Sequence, residues 1–285
     1  MLKVKKMIDL HIHTTASDGS FSPWEIMDKA EKLGLKAIAI TDHESVDGIP
    51  EAMKAAEGKN IKVIPGVEIE AFVDIEGENT NTVIHILGYN VNWKNPEFNN
   101  ALNEMITART EVTRRMVALL ANSGLDVGWD EVAAVAGNRR WIGINHILEC
   151  MLKKGYFASR KQAMKGYLQY FVYGKIAYVP FPAVSAKEAI NIIKEAGGIP
   201  VLAHPGLYHS DDLIPQLVKD GIKGIEVYYA GHIRKDISKF EELATKYGLI
   251  TTGGSDYHGI FHEWELGLGE VKVPEYTVKK LLDLF

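Results

Sequence analysis

Cysteine is almost absent from this 285-residue chain: Cys150 stands alone, so no intrachain disulfide can form, and a reducing compartment is the expected setting. It lies in the helix-like run HILECMLKK and reads as a small core residue, not a nucleophile. No stretch approaches the ~20 consecutive apolar residues of a membrane helix. The opening MLKVKKMIDLHIHT lacks the apolar centre of a secretory signal, so a cytoplasmic protein with no membrane partner is expected. Excess positive charge is missing too. A formal net charge of -5 gives no global attraction to nucleic acid, and long duplex nucleic acid is not an expected partner, although a local basic pocket remains possible. Heptad runs, low-complexity tracts and repeats beyond a βα rhythm are absent. What is present is a 46% hydrophobic chain, sized for one barrel-like domain with an insertion.

The chain is organised around MIDLHIHTTASDG, Met7 to Gly19. Read as a strand, it puts Ile8, Leu10 and Ile12 on one face and Asp9, His11 and His13 on the other, because side chains alternate with period two. Two imidazoles on one face, with Asp18 close behind, suit Zn²⁺, Mn²⁺ or Fe²⁺. An HxH pair alone would prove little. Ligand-type residues, however, recur at later strand ends.

Ser22-Pro23-Trp24-Glu25 is a capping box with Pro at the first helical position, starting a helix to about Leu33-Gly34. A strand at Lys36 to Thr41 ends in Asp42-His43-Glu44, a helix spans Val46 to Glu57, and a strand at Ile61 to Val67 ends in Glu68. A hairpin follows: EIEAFVDI, a polar turn through residues 77–81, then TVIHILGYN with His85. From about Asn95 to Tyr178 the alternation gives way to helices at Pro96 to Asn122, Trp129 to Ala136, His146 to Lys154 and Ser159 to Phe171. The last starts with a second capping box, Ser159 to Gln162. Alternation resumes with a helix capped at Ser185, a strand ending in His204-Pro205-Gly206, a strand at Gly224 to Tyr229 between two helices, and a strand leading into GGSDYHG. The pattern predicts a parallel α/β sheet or barrel, whose site lies at the carboxyl ends of its strands.

The strand-end set is His11, His13, Asp18, His43, Glu68, His85, His204, Asp256 and His258, too many for one ion. Six histidines and three carboxylates can supply two or three divalent cations if a carboxylate bridges. Hydrolysis of a phosphate ester most often needs such a cluster, since cations generate hydroxide from water and neutralise phosphoryl oxygens.

Together HIHTTASDG, TDHE, GVEIE, His85 in its hairpin, AHPG and GSDYHG resemble the PHP (polymerase and histidinol phosphatase) superfamily over Met7 to about Tyr89 and Tyr178 to about Gly259. Within it, the chain is similar to the branch of nucleoside 3',5'-bisphosphate phosphatases and 5'-3' exoribonucleases, which carry a helical insertion ending in a segment like YGKIAYVP. The resemblance implies a distorted (βα)7 TIM-like barrel, residues 1–94 and 178–285, with a helical cap at 95–177. It implies His11, His13, Glu68 and Asp256 around one ion; a bridging Glu68 with His85 and His204 around a second; and Asp18, His43 and His258 around a third. Mn²⁺, Fe²⁺ and Zn²⁺ are the candidates. Glu68, Asp256 and His204 are the expected catalytic residues, with hydroxide held between ions attacking phosphorus. Where that branch tends to show Gly-Arg-Pro-His, this chain has Gly143-Ile144-Asn145-His146, so an Arg that grips phosphate is replaced by Ile144. Arg139 or Arg140 is the expected substitute, with Lys175 and His146 as further phosphate contacts; the other reading of the two arginines is solvated helix-end charge. The substrate expected is a small phosphorylated metabolite, a nucleotide such as a nucleoside 3',5'-bisphosphate or a short oligonucleotide. Histidinol phosphate, amidohydrolase-type attack at carbon and a non-catalytic polymerase-associated module are the alternatives. Trp141 reads as packing or as a platform for a base, His209 as a bystander near the site, and His232 and His262 as surface loop residues.

Overall fold

Ser22 Oγ accepts from the Glu25 amide, and the Glu25 carboxylate accepts from the Ser22 amide, so α1 (Pro23–Leu33) begins where its capping box predicts. The computed structural model describes residues 7–74, 81–208, 212–261 and 266–282; the polar turn at 77–80, His209, His262 and Trp264 lie outside them. Strands β1 (Met7–Asp9), β2 (Leu35–Ile40) and β3 (Lys62–Asp74) pair in parallel, with α2 (Ile49–Ala55) between the last two. The two strand segments expected on either side of Glu68 are thus one 13-residue strand.

Strand β4 (Asn81–Tyr89) runs antiparallel to β3 and also to β6 (Ile199–Leu202). It is connected to β3 over residues 75–80, too few for the helical crossover that a parallel partner demands, and this makes the sheet mixed where a strict (βα)7 repeat would be parallel throughout. Beyond β6, the strands β7 (Gly224–Tyr229) and β8 (Ile250–Gly254) again pair in parallel, while the two-residue β5 (Val184–Ser185) sits beside β3. The ends of the path meet: the Leu10 amide bonds Gly253 O at 3.1 Å, and the chain after β1 pairs with the chain after β8 through His11, His13 and Tyr257.

Four helices interrupt the alternation between β4 and β5: α3 (Pro96–Asn122), α4 (Trp129–Ala136), α5 (Ile144–Lys153) and α6 (Arg160–Tyr170). They share a core that includes Val112, Met116, Leu120, Ile147, Leu148, Met151 and Ala163. The first turns of α3, through Phe98, Leu102 and Met105, pack instead on the main barrel core. Only half of the second capping box forms. Ser159 Oγ accepts from the Gln162 amide, but the Gln162 side chain accepts from Ala158 N, one residue upstream of the expected donor. The remaining helices are α7 (Ala186–Glu195), capped by Ser185, α8 (Leu213–Asp220), α9 (Arg234–Tyr247) and α10 (Glu275–Leu282). No described helix is long and apolar enough to cross a membrane.

Candidate metal centre

The strands bring their polar ends to one rim. His11, His13 and Asp18 follow β1, His43 follows β2 and bridges to Glu68 within β3, His85 lies in β4, His204 follows β6, and Asp256 and His258 follow β8. Gly254 permits the closure, because a Cβ there would sit 2.3 Å from the His11 amide. Glu44 (φ 45°), His204 (φ 26°) and Asp256 (φ 54°) have left-handed backbones, which side-chain-bearing residues rarely adopt. Such strain is characteristic of sites that fix a side chain at a cost to the fold.

Glu68, 1% exposed, is the hub. Its Oε2 faces His11 Nε2 at 3.2 Å, His13 Nε2 at 3.1 Å and His43 Nδ1 at 3.3 Å; its Oε1 faces His85 Nδ1 at 3.0 Å and His204 Nε2 at 3.1 Å. Asp256 Oδ1 lies 3.2 Å from His13 Nε2, and Asp18 Oδ1 lies 3.4 Å from His258 Nε2. Among the described residues three ligand groups emerge, each with donor atoms within 4.8 Å of one another: His11, His13, Glu68 and Asp256; His43, Glu68 and His85; and His13, Asp18, His43 and His258. Glu68 belongs to two groups, as its expected bridging position requires; His13 and His43 each belong to two as well, a sharing absent from the expected partition, and His204, expected beside His85, falls in none of the three. The donor atoms themselves fit cations. His11 Nε2, both nitrogens of His13, His43 Nδ1 and Glu68 Oε2 are buried without a hydrogen-bond partner, an arrangement costly unless a positive charge lies among them.

Burial opposes charge here, yet opposite charges prevail at most groups. Against that burial, Glu68 and Glu70 push His85 up to about 10, and Asp18 and Asp256 push His258 up to about 10. Despite burial, the imidazoles hold Glu68, Asp18 and Asp256 well below the usual carboxylate range. For His43 burial wins, and its imidazole is pushed down to about 3.

Outer partners orient the ligands, and the sequence reading missed them. Glu226 in β7, fully buried, takes His11 Nδ1 at 3.1 and 3.2 Å and accepts from His204 N at 2.8 Å. Tyr208 Oη contacts His204 Nδ1 at 3.0 Å and accepts from His85 N at 2.8 Å. Asp42 accepts from Thr14 N, Thr14 Oγ1 and Ser17 Oγ, tying down the loop between His13 and Asp18. Asp9, which shares a face with the histidines by alternation, instead accepts from Ser255 and Gly269 and closes the barrel. A cavity of about 1100 Å³ opens over the cluster, with Asp18, His43, His85 and His204 at its base and Arg109 and Trp141 on its wall. Arg109 pairs with Glu44 at 3.1 Å and Glu70 at 3.2 Å, and the Trp141 indole donates to Glu44 at 2.7 Å. Trp141 is 4% exposed and stacks on His43, leaving no open face for a base.

The expected phosphate contacts separate. Arg139 and His146 meet at 3.0 Å and line a pocket of about 100 Å³ with Asp18 and Asn145, whose amide donates to Asp18 at 2.6 Å. Arg140 is exposed and turned to Asp47, and Lys175 is exposed in the segment after α6; neither lines the cavity over the cluster. His232 is not a surface residue: it is half-buried, its Nδ1 bonds Val227 O at 2.9 Å, and its Nε2 accepts from Gly206 N at 3.1 Å, holding the turn that carries His204.

Known proteins resemble this chain over most of its length. The chain is 30% identical over 253 residues to the phosphoribosyl 1,2-cyclic phosphate 1,2-diphosphodiesterase of Eggerthella lenta, covering 89% of this chain and 94% of that one. It is 32% identical over 256 residues to the 3',5'-nucleoside bisphosphate phosphatase of Chromobacterium violaceum, covering 88% and 87%. The crystal structure of a Bifidobacterium adolescentis protein, whose name proposes metal-dependent phosphoesterase activity, superposes with a TM-score of 0.88 at 30% identity, over 98% of this chain and 96% of that one. The PHP domain family model matches residues 9–173. With the ligand groups converging at the strand ends and these likenesses running nearly its full length, the chain belongs to the PHP domain family and is a metal-dependent phosphoesterase.

Proposed function

We propose that the chain is a phosphatase of small nucleotides, with a nucleoside 3',5'-bisphosphate or a short oligonucleotide as substrate. The observation that carries this reading is the single buried carboxylate, Glu68, facing five imidazoles, which suits a bridging ligand between two or three divalent cations, Mn²⁺, Fe²⁺ or Zn²⁺. His11, His13 and Asp256 would share Glu68 with one ion; His85 would share it with a second, with His204 facing the same Glu68 oxygen at 3.1 Å; and Asp18, His43 and His258 would hold a third. Such ions, when bound, lower the pKa of water and neutralise charge on phosphoryl oxygens. The chain's own side chains supply position. Glu226 and Tyr208 fix the rings of His11 and His204, and burial shields Glu68 and Glu226 from bulk water. Arg139 and His146 form a phosphate contact beside Asp18. The Gly143 amide lies 3.2 Å from His146 Nδ1 and the Arg139 guanidinium 3.0 Å from its Nε2; both are donors and a neutral imidazole accepts at one nitrogen only, so a donor is left over for an anion beside the pair. Residues 95–177 act as the cap that sets specificity, over a barrel formed by 1–94 and 178–285. Relatives named for a bisphosphate phosphatase and a cyclic-phosphate diphosphodiesterase support phosphorus, not an amide carbon, as the centre attacked.

The test is elemental analysis of the purified protein joined to a phosphate-release panel of nucleoside monophosphates, nucleoside bisphosphates, short oligonucleotides and histidinol phosphate. The expected result is bound transition metal and release from nucleotide esters that chelation abolishes. A metal-loaded protein that releases no phosphate from any nucleotide overturns the proposal.

A further inference from the structure

We propose that the cavity-facing side of α6 binds a second phosphate of the substrate, one that is not hydrolysed, with the nucleoside spanning the cavity between it and the cluster; this rests on the phosphoesterase reading above. Helix α6 has two unlike faces. Ala163 and Gly166 are buried, and a Cβ on Gly166 would meet Phe157 at 2.7 Å and Leu148 at 3.0 Å, so that face is pressed onto its neighbours. On the other side Arg160, Lys161, Met164, Lys165 and Leu168 fall at i, i+1, i+4, i+5 and i+8, one continuous stripe, and all five line the cavity whose base is the metal centre.

The charge on that stripe is unopposed. The helix, RKQAMKGYLQY, contains no acidic residue, and Arg160, Lys161 and Lys165 have no carboxylate partner among the described residues. Five other cations of the same helical segment have carboxylate partners, Arg109 with Glu44 and Glu70, Arg114 with Glu111, Arg140 with Asp47, Lys153 with Glu149 and Lys154 with Glu131, whereas Arg115, Arg139 and Lys175 have none among the described residues but do not share a stripe with one another. Three uncompensated cations opposite a base that takes divalent cations suit a ligand that is anionic at both ends. The cavity, at about 1100 Å³, is at the upper end of small-ligand pockets and larger than one phosphate requires. Ile144 lines the same cavity, so the wall where relatives were expected to place an Arg offers no charge, and the cations of α6 are the ones positioned to take its part. Met164, Leu168 and Leu207 line the same cavity and give it apolar surface for a base or ribose.

The decisive experiment compares metal-loaded wild type with the Lys161→Ala/Lys165→Ala double variant on a nucleoside 3',5'-bisphosphate and on the corresponding monophosphate. Wild type is expected to prefer the bisphosphate. In the variant the ratio of the two kcat/KM values should fall about 10- to 100-fold, chiefly through KM for the bisphosphate. Lys161→Arg/Lys165→Arg should restore it, and raising salt from about 50 to 300 mM should erode the preference in wild type. Equal losses on both substrates, no loss on either, or a wild type that hydrolyses both without preference overturns the inference while leaving the phosphoesterase reading standing. A wild type inert toward every nucleotide overturns both.

Discussion

At the level of single residues, Glu68 holds more of the site together than any other side chain, since both of its oxygens face imidazoles and neither is reachable by bulk water. Glu68→Gln puts an amide, which donates on one side and ligates poorly, among those rings. The variant should lose at least one ion per chain by elemental analysis and more than about 100-fold in phosphate release, with its far-UV dichroism retained. A fully active, fully loaded Glu68→Gln protein would remove the bridging role. Glu226 acts one step further out. By taking His11 Nδ1 it presents Nε2 to the cluster, so Glu226→Ala should weaken cation affinity about 10- to 100-fold in a competition titration, and Tyr208→Phe should do the same through His204. The convergence of the nine expected residues was legible because they stand at strand ends, where alternation and the α/β site rule both point; eight of them fall in the three ligand groups, and His204 meets the cluster through Glu68. Glu226 stands inside Gly224–Tyr229, a segment apolar enough to read as core; the available signal was a carboxylate between Ile225 and Val227, which alternation turns to the opposite face from them.

At the level of elements, α3 couples the helical segment to the barrel rim. Phe98, Leu102, Met105, Val112, Met116 and Leu120 form a buried stripe spaced three and four apart, and Arg109 occupies the stripe position between Met105 and Val112. An Arg at a core position of a helix needs buried partners, and Glu44 and Glu70 provide them, with Arg109, Glu44 and Glu70 at 14%, 1% and 17% exposure. That spacing was an available signal for a buried Arg, one that the sequence reading did not use, whereas its partners, from β3 and the loop after β2, needed the fold. Removing it as Arg109→Leu leaves two buried carboxylates facing apolar surface and should cost about 3–5 kcal/mol in urea unfolding at neutral pH. The pH dependence has a definite sign. Although burial opposes it, Arg109 holds the Glu70 carboxyl down to about 2, against an ordinary value of 4.5, so this stabilisation is complete above pH 4.5 and is lost as pH falls through about 2. The stability gap between wild type and Arg109→Leu should therefore shrink between pH 6 and pH 3; a constant gap would mean that Glu70 does not depend on Arg109. Helix ends were the most legible part of the fold, Ser22 and Ser185 capping where their sequences predict. The antiparallel course of β4 was legible from its short connection to β3. That β4 then joins β6, across more than 100 residues, was not, because the pairing is set by the closure of the whole sheet.

For the whole molecule, the cluster is a clasp between the two ends of the chain. His11 and His13 follow β1 and Asp256 and His258 follow β8, and Asp9 bonds Ser255 and Gly269 beneath them, so the site is complete only when the sheet has closed. In the metal-free protein that clasp is held by protons. Although burial disfavours the charged rings, carboxylates raise His11 and His13 and push His85 and His258 up to about 10, and imidazolium–carboxylate attraction then stands in for the cations. A histidine whose pKa is raised on folding stabilises the fold fully below its ordinary value of 6.5 and ceases to do so as pH rises through about 10. Chelated protein should accordingly lose thermal stability steadily from pH 7 to pH 10. Loaded protein should not, because a cation binds the neutral imidazole and gains affinity as the competing protons leave. Each ion at a hundred times its Kd adds about 2.7 kcal/mol, so the Tm difference between loaded and chelated protein should start at several degrees and widen with pH. Calorimetric titration with Mn²⁺ near pH 8, in two buffers of different ionisation enthalpy, should show protons released as the ions enter. A Tm difference that narrows toward pH 10, or a binding heat that is the same in both buffers, would mean that cations and protons do not compete for these rings, and the clasp would have to be explained by packing alone.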